Sequence, residues 1–331
     1  MKILVTGGAG YIGSFMVKRL LKNGDDVVVL DSLERGQREA IDTKAKFVQG
    51  DLLNPEILEN TFSTDKFDAV IHFAGYISMA ESMENPKLYF QNNTLGSLNL
   101  IEQAVRHNIK SLVFSSTAGV YGNPIKTPIS EDHQTLPTNP YGESKLMVEK
   151  ILAWYNKIFG LSFASLRYFN AAGASLDGNM GEDHDPETHI IPLAIKATLG
   201  NSEFSLFGND YDTPDGTCIR DYIHVIDLVE SHLLTLQKLK ENPDDYYYNV
   251  GTGKGYSNKE VLEMVKKISG IDFKVKNSSR RSGDVDVLIA DPTKIKKELG
   301  FEPKYSDLET IVKTAWEWRK NNSKFKIQNS K

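Results

Sequence analysis

The stretch Asn139–Lys145, NPYGESK, sets a phenol and an ammonium four residues apart. Asn139 is a good helix N-cap, and Pro140 suits a first helical turn because its missing N–H needs no partner there. Apolar residues then recur at helical intervals as far as Gly160. The spacing predicts a helix over 141–159 with Tyr141 and Lys145 one turn apart on one face. A free phenol, with a pKa of about 10, is a poor base at neutral pH. A neighbouring ammonium favours the phenolate. Lowering the pKa to about 7 takes roughly 4 kcal/mol, more than one lysine supplies, so a second positive charge is expected. Tyr-x-x-x-Lys also arises by chance on many helices. What the chain places around the pair must decide its chemistry.

A second group lies at the start of the chain. ILVTGGAGYIGS puts Gly7, Gly10 and Gly13 between a strand-like run and a helix-like one. The G-x-x-G-x-x-G spacing differs from the commoner G-x-G-x-x-G, but the mechanics are shared. Gly7 allows a tight turn, Gly10 lets the backbone approach a pyrophosphate, and Gly13 permits close helix–sheet packing. Asp31 closes the next strand-like run, where a carboxylate bonds adenosine ribose hydroxyls and repels a 2′-phosphate, favouring NAD over NADP. Arg35 and Arg38 are near enough to receive such a phosphate. Asp51 follows the third strand and is either an acceptor for an adenine amino group or a helix cap.

These groups need a frame. KILVT, DVVVL, KFVQG, AVIHF, SLVFSS and SFASLRY read as short buried strands. Helix-length segments at 12–23, 54–62, 85–107 and 141–159 alternate with them, which predicts an α/β fold with a doubly wound parallel sheet of Rossmann type. After about residue 170 the pattern loosens. AAGASLDGNMGEDHDPETH reads as a long loop, and helices follow near 225–240, 257–269, 293–299 and 307–320. The expected division is 1–172 for a dinucleotide-binding domain and 173–331 for a smaller α/β lobe, with segments near the boundary crossing between them. The tail NNSKFKIQNSK reads as polar and frayed. The chain has 331 residues, 40% of them hydrophobic, and a net charge of −5. A packed core is feasible, and nothing draws nucleic acid globally. One cysteine, Cys218, excludes an intramolecular disulfide and agrees with a reducing cytoplasm. The N-terminus does not read as a signal peptide, and no apolar run is long enough to span a membrane.

With VTGGAGYIG, HFAG, SSTAGVYG, NPYGESK, RYFNAAGA, FGNDYDTPDGTCIRDYIHVIDL, YNVGTGKGYS and RRSGDVDVLIADPTKIKKELGF together, the chain resembles the extended short-chain dehydrogenase/reductase family, specifically its nucleotide-sugar epimerase branch. The resemblance covers nearly the whole chain. It implies that Tyr141 is a catalytic base, Lys145 its partner and Thr117 the third member, at a position where the family often has serine. It implies NAD contacts at Tyr11, Ile12, Asp31, Ser32, Asp51, Leu52, Phe73, Ala74, Gly75, Asn92, Ser115 and Phe169, besides the glycines, Tyr141 and Lys145. Ile77 falls where some members carry lysine. The implied reaction inverts C4 of a UDP-hexose, interconverting UDP-galactose and UDP-glucose. C4 is an unactivated carbinol carbon, so direct proton abstraction there is not feasible. Oxidation by NAD to a 4-keto sugar, turnover of that sugar and reduction on the other face solve the problem. The cationic nicotinamide is then the second positive charge. A homodimer pairing the 85–107 and 141–159 helices is implied by dimeric relatives.

On the sugar-nucleotide side the resemblance implies a diphosphate clamp from Arg220 and Arg281, a ribose acceptor in Asp284, and sugar- or uridine-side contacts from Thr117, Asn170, His189 and Phe207. Leu288 falls beside the sugar, where a tyrosine would exclude an N-acetyl group at C2, so N-acetylhexosamine substrates are also expected. No metal site is predicted. Asp221, Tyr222 and His224 in DYIH lack a second ligand at helical spacing, and a buried, hydrogen-bonded histidine is expected. The run GEDHDPE at 181–187 lacks the ligand order of a calcium loop and reads as a solvated loop. A related dehydratase would need an acid–base pair after Thr117, where Ala118 and Gly119 stand. A 4-keto reductase would exchange its cofactor at every turnover, and a non-catalytic NAD sensor has no use for Tyr141 and Lys145 together.

Overall fold

The computed structural model describes residues 1–200, 202–281 and 284–328, the last six of these as backbone only. The first half alternates as expected: β1 (Lys2–Thr6), α1 (Tyr11–Lys22), β2 (Asp26–Asp31), β3 (Lys46–Gln49), α2 (Pro55–Thr64), β4 (Ala69–His72), α3 (Met79–Glu84), α4 (Pro86–Tyr89), α5 (Gly96–Arg106), β5 (Ser111–Thr117), α6 (Pro140–Phe159) and β6 (Ser162–Tyr168). The second half adds β7 (Asn170–Ala172), α7 (Ile190–Gly200), β8 (Phe204–Phe207), β9 (Ile219–His224), α8 (Val225–Glu241), β10 (Asp245–Val250), β11 (Gly255–Ser257), α9 (Asn258–Ser269), β12 (Val275–Ser278), β13 (Val287–Leu288), α10 (Thr293–Leu299) and α11 (Leu308–Gln328).

Seven strands form one parallel sheet in the order β10-β6-β5-β4-β1-β2-β3. The order reverses between β1 and β4, which opens a crevice at their C-terminal ends. Strand side chains alternate between two cores. Ile3, Val5, Val27 and Val29 pack with Met16, Leu20, Leu228 and Leu236 of α1 and α8. Leu4, Val28 and Leu30 pack with Leu58, Leu100, Ile101, Val148 and Leu152 of α2, α5 and α6. The chain recrosses its expected boundary, since β10 pairs with β6 over Asp245–Val250. A third apolar cluster, from Ile191, Ile195, Val261, Val265, Ile311 and Val312 of α7, α9 and α11, builds the smaller layer.

The segment 85–107, read as one helix, is one helical run over Pro86–Arg106 in which a wide π-type turn, Phe90–Leu95, joins α4 to α5. The buried Asn93 explains the wide turn. Its side chain bonds both the N–H and C=O of Tyr76 and donates to Ser144 Oγ. A buried amide that satisfies its partners outweighs one lost helical bond. The last helix continues to Gln328, past the predicted 320, and Asn329–Lys331 lie outside the described residues. Behind β5 and β6, Arg167 and Glu149 make a buried ion pair at 2.6 Å, 7% and 2% exposed. Ser116 Oγ donates to Glu149, Arg167 donates to Tyr121 OH, and Tyr121 OH donates to Asn249. The network ties β5, β6, α6 and β10 together one residue from Thr117, and every member is paired, which is what makes a buried charge tolerable.

Candidate functional site

The crevice is built from glycines. Gly7 has φ +71, and a Cβ there would lie 2.5 Å from Ala74 N, so the turns after β1 and β4 touch. A Cβ on Gly13 would lie 2.1 Å from the Gly7 carbonyl oxygen. Gly10 caps α1 with no side-chain bond and no acidic residue follows in the first turn, so the helix N-terminus is open to an anion. Tyr11 and Ile12 begin that helix. Tyr11 OH donates to Gly173 O, and Ile12 packs on the first core. Asp31 ends β2 with Oδ2 accepting from Ala9 N and Oδ1 from Leu33 N, both at 2.9 Å. Burial pushes its carboxyl up, and those two N–H groups oppose the shift. Each oxygen keeps a lone pair for a ribose hydroxyl. Ser32 Oγ accepts from Glu34 N. Asp51 is not the cap of α2, because Asn54 accepts from Glu56 N and Ile57 N; Asp51 accepts from Leu53 N. Leu52 is buried beside Gly96. Arg35 is paired with Glu81 at 2.8 Å, and Arg38 lies over the Phe47 ring.

After β4, Phe73 packs its ring on His232, Ala74 joins the second core, and Gly75 has φ +156. A Cβ on Gly75 would lie 3.3 Å from Lys145 Nζ. Lys145 is therefore brought against this turn, while its ammonium donates to Ser115 O at 2.9 Å and lies over the Phe114 ring. Only 3% exposed, Lys145 has its pKa lowered by burial to about 8. Ser115 Oγ meets Tyr168 OH, and Asn92 donates to Asn93 Oδ1. α6 forms as the sequence requires: Asn139 Oδ1 accepts from Gly142 N at 2.9 Å, Pro140 starts the helix, and Gly160 ends it with φ +68. Tyr141 and Lys145 share one face. Thr117, the last residue of β5, sets its hydroxyl near enough to the Tyr141 phenol to lower its pKa, while its Oγ1 accepts from Gly119 N. Burial pushes that phenol up, and only Thr117 opposes it. In the protein alone the phenol keeps its proton, and the extra positive charge expected from the sequence is still required.

Three positioning residues were missed. A Cβ on Gly142 would lie 2.5 Å from Gly119 O, so the glycine after Tyr141 lets α6 close on the turn that follows Thr117. The visible signal was a glycine in the first turn of a helix, where it otherwise costs stability. Asn93 holds the Tyr76 backbone beside Gly75. His72, at the end of β4, bonds Thr6 Oγ1 and Ser97 Oγ, and burial together with the Lys145 charge lowers its pKa to about 3. A neutral His72 adds no charge to the site.

The second layer brings most of the expected sugar-nucleotide residues together. Arg220 on β9 donates to Ile219 O and Val285 O and lies 3.7 Å from Asp284. Leu288 on β13 is the register partner of Arg220. The Arg281 guanidinium lies 4.2 Å over the Phe207 ring. Leu288 and Phe169 pack on one cluster with Val120, Tyr121 and Leu146, reaching toward Thr117 and α6. Asn170 Nδ2 donates to Asp221 O. Asp221 is structural, bonding Thr252, Gly253 and Ala290 N–H groups. His224 is the expected buried histidine, capping α8 through Ile226 N and contacting Thr314.

One expectation is corrected. GEDHDPE is not simply a solvated loop: Glu182 is 5% exposed and its backbone oxygen accepts from Trp318 Nε1. His189 joins it, with Nδ1 2.5 Å from Glu182 Oε1. Among the described residues no hydrogen bond or ring contact links His189 to Arg220, Phe207 or Arg281. Glu182 lies on the same loop as His189, and no helical or strand period in the sequence marks the two as partners.

Residues 3–251 match the NAD dependent epimerase/dehydratase family. Over 325 residues the chain is 48% identical to UDP-glucose 4-epimerase of Lactobacillus helveticus, covering 98% of each. The structure of UDP-glucose 4-epimerase from Brucella ovis in complex with NAD superposes with TM-score 0.92 and 43% identity, covering 95% of this chain and 97% of that one. The UDP-Glc/GlcNAc 4-epimerase of Campylobacter jejuni matches with TM-score 0.85 and 44% identity, covering 97% and 99%.

Proposed function

We infer, from a chain that belongs to the NAD dependent epimerase/dehydratase family, that it is an isomerase interconverting UDP-galactose and UDP-glucose at C4. The observation that carries the reading is Tyr141, near the Thr117 hydroxyl and one helical turn from a Lys145 held against Gly75. The glycine cradle fits a dinucleotide, since a side chain at residue 13 would strike the turn that must meet the pyrophosphate. Asp31 would take the ribose hydroxyls. With Arg35 held by Glu81 and Arg38 on Phe47, no nearby guanidinium is left poised for a 2′-phosphate, which supports NAD.

NAD, when bound, supplies a reversible hydride acceptor for C4 and a cationic ring that opposes the burial of the phenol. Tyr141 takes the C4 hydroxyl proton, holds it while the sugar is a ketone, and returns it to the same oxygen. Thr117 bonds that oxygen and shortens the proton path. Lys145 supplies positive charge beside the phenol and a donor for the nicotinamide ribose. Arg220 and Arg281 hold the diphosphate, Asp284 the uridine ribose, and Phe207 and Asn170 border the sugar. The division of labour is a dinucleotide domain in the first half and a sugar-nucleotide lobe in the second, with β10 returned to the first. Leu288, in place of a bulkier tyrosine, would admit an N-acetyl group, a second reading favoured by the 44% identical UDP-Glc/GlcNAc 4-epimerase of Campylobacter jejuni.

Purified protein given UDP-galactose and no added cofactor is expected to yield UDP-glucose, and given UDP-N-acetylgalactosamine to yield UDP-N-acetylglucosamine. Leu288→Tyr is expected to abolish the second conversion and keep the first, read by chromatography of the nucleotide sugars. Absence of the first conversion in protein that carries NAD would overturn the reading.

The assembly proposed is a homodimer through α5 and α6. Met147, Trp154 and Ile158 recur on one side of α6, with Trp154 59% and Ile158 63% exposed. Leu95 is exposed just before α5. A two-fold pairing of these helices would bury them as a four-helix seam. Sedimentation is expected to give twice the chain mass, falling to one chain in Trp154→Glu/Ile158→Glu. Among the described residues no helix is long and apolar enough to cross a membrane. We place the protein in the cytoplasm on that fact and its single buried cysteine.

A further inference from the structure

We propose that Glu182, His184, Glu187 and His189 form a site for a divalent first-row transition metal, with zinc the ion expected, that braces the loop between β7 and α7. One ligand atom from each of the four lies within 4.8 Å of every other. Two imidazole nitrogens and two carboxylates make a zinc-type donor set, and four ligands close a tetrahedral structural site. Calcium is disfavoured because it takes six to eight oxygens.

Two orphaned atoms point at a missing partner. The Glu187 side chain is 4% exposed, and its Oε2 has no hydrogen-bond partner. Its Oε1 is already used, accepting from Thr188 N at 2.8 Å and His189 N at 2.9 Å. His189 Nδ1 is likewise buried without a hydrogen bond, although it lies 2.5 Å from Glu182 Oε1 and 3.5 Å from Glu187 Oε1. His184 Nδ1 stands 3.0 Å from the same Glu182 oxygen. Donors bound at about 2.0–2.1 Å around a tetrahedral ion sit about 3.4 Å apart. The 2.5 and 3.0 Å separations fall short of that value by less than a bond length, so the cluster needs to open only slightly to admit the ion.

The surroundings are shaped to hold such a centre. Glu187 is oriented by two backbone N–H groups, the kind of outer support that fixes metal ligands. His184 stands edge-on to Tyr11, whose hydroxyl bonds Gly173. Asp183, between two of the ligands, accepts from Gln37 Nε2 and from Arg319. The loop thus spans from α11 to the start of α1, beside the dinucleotide cradle. A metal would lock three elements that otherwise meet through a few polar contacts.

The test uses full-length protein carrying its NAD, with any affinity tag removed, stripped with a chelator and titrated with zinc. Elemental analysis is expected to find one zinc per chain, with the melting temperature raised by about 3 °C or more. Cobalt(II) in its place is expected to show the intense visible bands of a four-coordinate site. His184→Ala and Glu187→Gln, each checked by circular dichroism, are expected to lose the zinc and the cobalt spectrum while keeping the metal-free melting temperature within about 2 °C. Failure of the wild type to bind either ion would overturn the proposal and leave a protonated histidine–carboxylate pair. Retention of stoichiometric zinc by both variants would overturn it equally. Because metal content and spectrum are read rather than turnover, neither result depends on the epimerase reading.

Discussion

Tyr141→Phe is expected to leave a folded protein that still carries NAD, with turnover of UDP-galactose reduced about 1,000-fold or more. The ring stays in place, so packing on α6 is kept, and what is lost is the phenol oxygen beside Thr117. The size of the effect follows from the site's electrostatics. Burial pushes this phenol up and pushes Lys145 down to about 8, so the isolated protein disfavours both charges. Only the holoprotein, with a cationic ring in place, has reason to ionise the phenol. The wild-type rate should accordingly rise with pH on its acid side as the phenol loses its proton, and the variant should lack that limb. For Lys145 the sign concerns stability. Its folded pKa of about 8 lies below the ordinary value of 10.5, so the unfolded chain binds more protons between them, and nucleotide-free protein gains stability from this group as pH rises through that window. Steady-state rates across pH, with NAD content read by absorbance after denaturation, check the expectation. A variant within tenfold of wild type would remove the tyrosine from the chemistry.

Gly13→Ala is expected to lose the bound NAD. The new Cβ would lie 2.1 Å from the Gly7 carbonyl oxygen and 2.9 Å from Gly8 Cα, both backbone atoms of the loop proposed to meet the pyrophosphate. Neither can yield without moving α1 away from β1. Overpacking of this kind costs about 1–3 kcal/mol of stability, and the displaced helix N-terminus should weaken NAD by on the order of 100-fold, equivalent to about 2.7 kcal/mol. Gly270→Ala is the control. It has φ +70 but nothing within 4 Å of its Cβ, so it should cost about 1–2 kcal/mol through the backbone alone and keep its NAD. Gel filtration followed by nucleotide analysis separates the two. A Gly13→Ala protein that emerges fully loaded would mean the cradle does not hold the pyrophosphate.

The cradle and the α6 pair were legible because their information is local. β1 reads as a strand from five residues, α1 follows from three glycines and an apolar period, and α6 carries its own cap, proline and terminal glycine. Periods of 2.0 and 3.6 and the chemistry of caps act over a few neighbouring residues, so Asp31 at a strand end and Tyr141 four before Lys145 could be placed from composition and spacing. The predicted helices at 225–240, 257–269 and 293–299 emerge within a residue of their bounds for the same reason. The 85–107 segment came out helical as read, but its π-type turn was not legible, because it is set by partners at a distance, Tyr76 and Ser144, that claimed Asn93.

By itself, then, the sequence determined a doubly wound parallel sheet, a glycine turn for a dinucleotide, and a phenol and an ammonium on one helical face. Tertiary structure alone decided that Lys145 reaches the turn at Gly75, that Thr117 meets Tyr141 from another strand, and that Leu288 pairs with Arg220. Each of those contacts joins segments whose separation along the chain carries no periodic signal, and it exists only once the cores on both sheet faces have set the distance between them.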